Sequence, residues 1–277
     1  MLAARRRPQF TTLGENTLSV ASAPTAASAP AERSSTVYFF GTCLVDLFYP
    51  EAGLAGMELL KREGLRVVFP QGQTCCGQPA RNCGFFEEAR AVARAQFAAF
   101  PEQWPIIVPS GSCAGMMRVH YPQLFADEPD RAQAEAFASR VYELSWFLVH
   151  VLNIKLEDKG KPVTVTWHGS CHAMREMGIT DEPKRLLRLL SNVTLVENPR
   201  ERECCGFGGT FSVRQPEVSA AMVADKIASV EATGATEMVT GDCGCMMNIS
   251  GAMEKAGTPV RSRHLAEFLL ERSNNVR

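Results

Sequence analysis

The stretch Glu203-Cys204-Cys205-Gly206-Phe207-Gly208-Gly209 places two adjacent cysteines before three glycines, a composition that core packing does not explain. A second copy of this pattern, Cys75-Cys76-Gly77-Gln78-Pro79, lies in the first half of the chain. A further cysteine precedes each pair, since Cys43 lies before the first pair at almost the same distance as Cys171 lies before the second. The two halves therefore carry the same cysteine pattern.

The pattern continues downstream of each pair. Cys113 follows the first pair and Cys243 follows the second, again at almost equal distances. The offset between corresponding cysteines is nearly constant, which indicates an internal duplication with small changes in loop length. Free cysteine is often a small core hydrophobe, so unrelated buried thiols are the alternative. The duplication instead predicts one site per half, built from Cys43, Cys75, Cys76 and Cys113 in the first and from Cys171, Cys204, Cys205 and Cys243 in the second.

The chain length allows two domains, since 277 residues can form two cores of ordinary size. The repeat predicts a first domain over residues 36–153 and a second over residues 162–273. Residues 1–35 are rich in Ala, Ser, Thr and Pro and have no periodic apolar pattern, so they are predicted to be a disordered extension. They also lack the apolar stretch that an export signal requires.

Charge and cysteine content restrict the class of protein. The 29 basic and 30 acidic side chains give a net charge of -1, which provides no electrostatic footprint for nucleic acid or an anionic membrane. No apolar run reaches the length of about 18 residues that a transmembrane helix needs. Ten cysteines are too few for a disulfide scaffold in a chain of this length, which favours the reducing cytoplasm.

Short apolar runs alternate with helical patterns in both halves. Residues 36–40, 65–69 and 106–108 have the composition of buried strands, whereas residues 54–63 and 85–100 have that of helices. Strands that alternate with helices predict an α/β fold, here an internal duplication of two open, mostly parallel sheets. The cysteines of the pattern are then expected in loops at the carboxyl ends of strands, where such sheets place their ligand sites.

Four thiolates brought together by a fold bind a soft metal, either one zinc ion or an iron-sulfur cluster. Cysteine zinc sites usually contain C-x2-C knuckles, and this sequence has none. Adjacent cysteines in an extended segment point apart, which suits ligation of different irons in a polynuclear centre. The sequence therefore favours one iron-sulfur cluster per half, of the four-iron type, while zinc in one half and a thiol-disulfide centre remain alternatives.

Two histidines flank one of the predicted ligands. His168 and His172 bracket Cys171, and they are candidates to donate a hydrogen bond to cluster sulfur or to relay a proton. The alternative is that they only cap a loop. Cys83 and Cys245 have no counterpart at the repeat offset, so they are predicted to be spare thiols.

The repeated pattern resembles the cysteine-rich CCG domain family, over residues 36–272. That family includes a subunit of heterodisulfide reductase, the iron-sulfur subunit of glycolate oxidase and the lactate-utilisation protein A family. The heterodisulfide reductase subunit has C-x-x-C as its third element, where this chain has Met116 and Met246. The glycolate oxidase subunit carries a cysteine-rich ferredoxin-like segment, and residues 1–35 contain no cysteine. The chain is thus most similar to the lactate-utilisation group.

This resemblance implies an iron-sulfur electron-transfer subunit of a cytoplasmic complex that oxidises L-lactate to pyruvate. It also implies a ferredoxin-like iron-sulfur partner and a third subunit. The alternatives are a subunit of a glycolate-type oxidase, a thiol or disulfide reductase subunit, and a zinc-binding subunit. No G-x-G-x-x-G fingerprint follows a strand and opens a helix, so a non-catalytic or co-catalytic subunit is expected.

Overall fold

Each half of the chain forms a four-stranded parallel sheet in the computed structural model, which describes residues 34–274. The strand order is β2-β1-β3-β4 in the first sheet and β6-β5-β7-β8 in the second. The predicted α/β fold with an internal duplication is confirmed. The predicted extension over residues 1–35 falls almost entirely outside the described residues.

The strands are short because each spans only the apolar run between two turns. They are β1 Thr36–Phe39, β2 Arg66–Val68, β3 Ile106–Val108, β4 Val141–Glu143, β5 Val163–His168, β6 Val193–Val196, β7 Glu237–Thr240 and β8 Arg261–His264.

Helices cover both faces of each sheet, as crossover connections between parallel strands require. Those of the first half are α1 Cys43–Phe48, α2 Pro50–Arg62, α3 Gln78–Asn82, α4 Phe86–Ala99, α5 Gly111–Gly115, α6 Tyr121–Leu124, α7 Arg131–Ser139 and α8 Leu144–His150. A π-helical turn, Met116–His120, joins α5 to α6. Those of the second half are α9 Cys171–Glu176, α10 Glu182–Arg188, α11 Phe211–Arg214, α12 Pro216–Glu231, α13 Cys243–Ala256 and α14 Leu265–Ser273.

The two halves share one apolar core in addition to their own. The shared cluster contains Phe39 and Phe147 from the first half together with Leu186 and Phe268 from the second, all at most 2% exposed. It forms because α2 packs against α14 and α8 packs against α10. The halves are therefore held in one fixed arrangement, with the carboxyl ends of both sheets facing a common region.

A glycine permits a close contact between the halves. A Cβ atom on Gly111, at the start of α5, would lie 2.5 Å from the Cβ atom of Ala173 in α9. Real Cβ atoms do not approach so closely, so any side chain at this position would push α5 and α9 apart. The close packing of these two helices brings the cysteines that they carry to the same cleft.

Candidate metal centres

Cysteines from both halves line a single cavity of about 210 Å³ at the carboxyl ends of the two sheets. The strand ends are the location that the sequence predicts. Several of these residues lie in the first turn of the following helix, however, because the chain turns into a helix directly after the strand. The lining cysteines are Cys43, Cys75, Cys76, Cys113, Cys171, Cys204, Cys205 and Cys245.

The first-half cysteines form a connected group of thiols. The Sγ atoms of Cys43 and Cys75 are 3.9 Å apart. Hydrogen bonds from the thiols of Cys43 and Cys76 lower the pKa of Cys75. Interactions with the thiols of Cys113 and Cys75, together with burial, raise the pKa of Cys76, which is 2% exposed. All four predicted members of the first set therefore lie together.

The glycine after each cysteine pair has a specific conformational role. Gly77 and Gly206 have φ values of 82° and 86°, in the left-handed region that side chains disfavour. A Cβ atom on Gly206 would also lie 2.8 Å from the backbone oxygen of Ser219. In this conformation the amide of each glycine donates to the Sγ atom two residues earlier, at 3.4 Å in both halves. The repeated CCG sequence thus creates a turn in which a backbone amide donates a hydrogen bond to one cysteine sulfur of each pair.

The second-half group repeats this arrangement around Cys204. Hydrogen bonds from the thiols of Cys171 and Cys205 lower the pKa of Cys204. Cys205 in turn interacts with the thiols of Cys204 and Cys245, which raise its pKa. Ligand atoms of Cys205, Cys245 and His168 lie within 4.8 Å of one another, which suits a shared metal ion.

Cys243 does not join the second group. It is 1% exposed and packs with Val45, Ala52 and Met246 in a separate apolar cluster. Burial, rather than a thiol partner, is the main cause of its raised pKa. Among the predicted ligands it is the one that does not line the cavity.

Strand pairing shows why Cys245 occupies the place expected for Cys243. Tyr38 pairs with Ile106 in the first sheet, and Thr166 pairs with Met238 in the second. Tyr38 and Thr166 are equivalent, because each lies five residues before the first cysteine of its half. Seven residues after Ile106 stands Cys113, and seven after Met238 stands Cys245. The structural counterpart of Cys113 is therefore Cys245, which lines the cavity instead of being a spare thiol.

Cys83 lies away from this cavity. Its Sγ atom is 3.1 Å from Thr210 Oγ1 and 4.0 Å from a guanidinium nitrogen of Arg214, in an adjoining groove that shares Cys204 and Gly208 with the cavity. It has no place in either thiol group.

The two candidate histidines have different surroundings. His172 lines the cavity, and its Nδ1 atom lies 2.9 Å from a carboxylate oxygen of Glu176. The same oxygen lies 3.0 Å from Nε2 of His120, which belongs to the first half. Against the opposing effect of burial, these imidazoles lower the pKa of Glu176 to about 2, and Glu176 raises the pKa of His172. Sequence reasoning missed Glu176, although its spacing of four residues from His172 on one helix is a usable signal. It also missed His120, which only the packing of the halves brings to this site.

His168 lies at the end of β5, beneath the thiols of the second half. It is 1% exposed, and neither ring nitrogen has a hydrogen-bond partner among the described residues. Burial, aided by the positive charge of Lys226, lowers its pKa to about 3, so the imidazole is neutral. A neutral imidazole is the form that ligates metals.

The donor set fits an inorganic sulfur-ligated centre in each half. Thiolates are soft ligands that select zinc and iron-sulfur clusters over hard cations. The thiols within each half interact with one another, and the unpartnered ring of His168 gives the second half a further donor. Ligation would remove the penalty for burying the His168 ring nitrogens without partners.

Comparison with known proteins agrees with a tandem cysteine-rich fold. A family model described as "Cysteine-rich domain", CCG, matches residues 37–118 and 165–250, one copy in each half. Lactate utilization protein A of Geobacillus kaustophilus is 45% identical over 240 residues, which cover 86% of this chain and 99% of that protein. The protein of the same name from Bacillus licheniformis is 44% identical over 85% of this chain and 99% of its own length. The chain therefore belongs to the lactate utilization protein A family.

A solved structure shares the fold at much lower sequence similarity. A hypothetical protein from Helicobacter pylori superposes with a TM-score of 0.61 at 10% identity. The match covers 89% of this chain and 50% of that one, so this chain spans half the length of that structure. Within residues 34–274, none of the helices has the length and apolar character needed to cross a membrane.

Proposed function

We propose that this protein is an iron-sulfur electron-transfer subunit of a cytoplasmic system that oxidises L-lactate to pyruvate. The observation that carries the proposal is the convergence of eight thiols from two repeated halves on one cavity. The name of its relatives, Lactate utilization protein A, supports lactate as the substrate of the system.

The proposed ligands are the cavity-lining thiols of each half. In the first half they are Cys43, Cys75, Cys76 and Cys113, and in the second they are Cys171, Cys204, Cys205 and Cys245, with Cys245 in place of Cys243. A four-iron cluster, when bound, supplies reversible acceptance of single electrons.

The surrounding residues would favour the charged thiolates and exclude water. The amides of Gly77 and Gly206 donate to sulfur, and such donors raise the reduction potential of a sulfur-ligated centre. Cys76 and Cys205 are 2% and 3% exposed, which protects this side of each site from solvent. The Tyr121 hydroxyl donates to the backbone oxygen of Cys76 at 2.9 Å and holds the first pair in position.

Lactate oxidation itself is assigned to other components. Removal of two electrons and two protons from a 2-hydroxy acid ordinarily requires a hydride or proton acceptor held next to the substrate carbon. We propose a ferredoxin-like iron-sulfur partner and a third subunit for these roles. Within this chain, His172 is the cavity residue best placed to hold a proton, through its contact with Glu176.

The first prediction is that the protein purified without oxygen is brown and carries several irons with acid-labile sulfide per chain. The physical reason is that adjacent cysteines address different atoms of a polynuclear centre more readily than a single ion. Iron, sulfide and zinc analysis of one preparation provides the measurement. Colourless protein with stoichiometric zinc in both halves would exclude the proposed electron-transfer role.

A further inference from the structure

We infer that His168 ligates the metal of the second half, so that the two halves hold chemically different centres. The inference rests on the proposed function only in requiring that an inorganic centre is bound. Its distinctive claim is a nitrogen ligand in one half and purely sulfur ligation in the other.

The position of His168 is the first support. One of its ring nitrogens and the Sγ atoms of Cys205 and Cys245 lie within 4.8 Å of one another. Both ring nitrogens are buried without a hydrogen-bond partner in the described part of the chain. Buried polar atoms in native proteins nearly always have partners. No protein group within residues 34–274 pairs with this ring, so a bound metal is the partner that accounts for its position.

At the position equivalent to His168, the described part of the first half has no nitrogen donor. Because Tyr38 corresponds to Thr166 in the strand pairing, the counterpart of His168 is Phe40. Phe40 is fully buried in the apolar core of the first half. Equivalent positions of the repeat therefore hold a hydrocarbon ring in the first half and an imidazole in the second.

A second difference between the halves is the charge beside the thiols. Lys226 of α12 is 1% exposed and interacts electrostatically with the thiols of Cys205 and Cys245. The equivalent helix of the first half, α4, has the neutral Gln96 at this position, ten residues after the helix start as in α12. Gln96 donates to the Thr74 hydroxyl at 2.6 Å and to the Cys75 backbone oxygen at 3.3 Å.

The charge of Lys226 predicts unequal reduction potentials. Both halves keep four thiols at the cavity, so the neutral imidazole of His168 adds a ligand without removing negative charge. A buried cation near the thiols stabilises an added electron. Lys226 therefore makes the second half the stronger electron acceptor of the two.

The ligand is tested by isotope labelling. Protein labelled with ¹⁵N-histidine and reduced after anaerobic purification should show nitrogen coupling to the paramagnetic centre in pulsed electron paramagnetic resonance. The coupling should disappear in His168→Phe, which copies the first half, and in His168→Gln, which keeps a polar side chain. It should persist in the control His172→Phe, since His172 lines the same cavity. If the second half holds zinc, imidazole scattering at the zinc edge should follow the same pattern.

A potentiometric titration tests the consequence. In a two-cluster protein, Lys226→Gln, which copies Gln96 of the first half, should shift the reduction equilibrium of the higher-potential step by about tenfold or more toward the oxidised form, which is about 59 mV for one electron. Phe40→Leu should shift neither step as strongly. Iron in both halves without histidine coupling, or spectra unchanged in both His168 variants, would overturn the inference and leave the electron-transfer role intact. Absence of both iron and zinc would remove both proposals.

Discussion

Cys245→Ser is expected to remove the metal of the second half, whereas Cys243→Ser is expected to retain it. The Cys245 thiol lines the cavity within 4.8 Å of the Cys205 Sγ atom, while Cys243 packs among apolar side chains two residues earlier. Loss of one ligand exposes the metal to water and oxidant, so a cluster held by the three remaining thiols is expected to degrade. Iron and sulfide analysis should give about half of the wild-type content for Cys245→Ser, because one site of two is lost.

Matched variants make this result specific. Cys113→Ser, at the equivalent position of the first half, should cause a loss of similar size. Cys83→Ser should cause none, because this thiol contacts Thr210 outside the cavity. Equal metal loss in Cys243→Ser and Cys245→Ser, with both proteins folded by circular dichroism, would contradict the proposed ligand set.

The sheets can be predicted from the sequence because each strand coincides with an apolar run. The strand predicted over residues 106–108 is β3, with the same bounds. The helix predicted over residues 54–63 begins earlier, at Pro50, because proline suits the first turn of a helix. The six-residue helices α1 and α9 escape prediction, since their first turns contain the cysteines and lack a clear apolar period.

Spacing alone does not distinguish Cys243 from Cys245. If the sequence offset between the two cysteine pairs is applied to Cys113, it points to the neighbourhood of Cys243. However, the segment between the second pair and β7 is a few residues longer than the segment between the first pair and β3, which moves the equivalent position to Cys245. Residues two apart on a helix face nearly opposite sides, so only one of these thiols can reach the cavity. The usable signal is Asp242, whose side chain accepts hydrogen bonds from the Gly244 and Cys245 amides and caps the start of α13. Ser110 holds the equivalent position before α5.

Contacts between the halves have no sequence signal. Asp242 accepts a hydrogen bond from the Ser112 amide at 2.8 Å and so connects the α13 and α5 starts across the cleft. The approach of His120 to Glu176 likewise depends on how the halves pack. The repeat predicts the elements that each half forms. It does not predict the interface between the halves, because each half contacts a different surface there.

Arg272→Leu is expected to lower the free energy of unfolding by about 3–5 kcal/mol, because it leaves a buried carboxylate without its partner. The Arg272 guanidinium makes contacts of 2.8 and 2.9 Å with the two carboxylate oxygens of Asp158, and it donates to the Lys161 backbone oxygen at 2.7 Å. The Asp158 side chain is fully buried and Arg272 is 9% exposed. This pair links α14 to the segment that precedes β5. Urea denaturation of the anaerobic protein provides the measurement.

The same pair should make stability depend on pH in a defined direction. Arg272 lowers the pKa of Asp158, opposing the effect of burial, so the pair contributes fully above the unfolded carboxyl pKa of about 3.9. Its contribution is lost as the pH falls through the lower folded pKa. The stability difference between wild type and Arg272→Leu should therefore shrink in acid. The control Arg131→Leu removes an exposed pair with Glu135 and should change stability by less than about 1 kcal/mol. Equal effects of the two substitutions at neutral pH would show that the buried pair does not hold α14 in place.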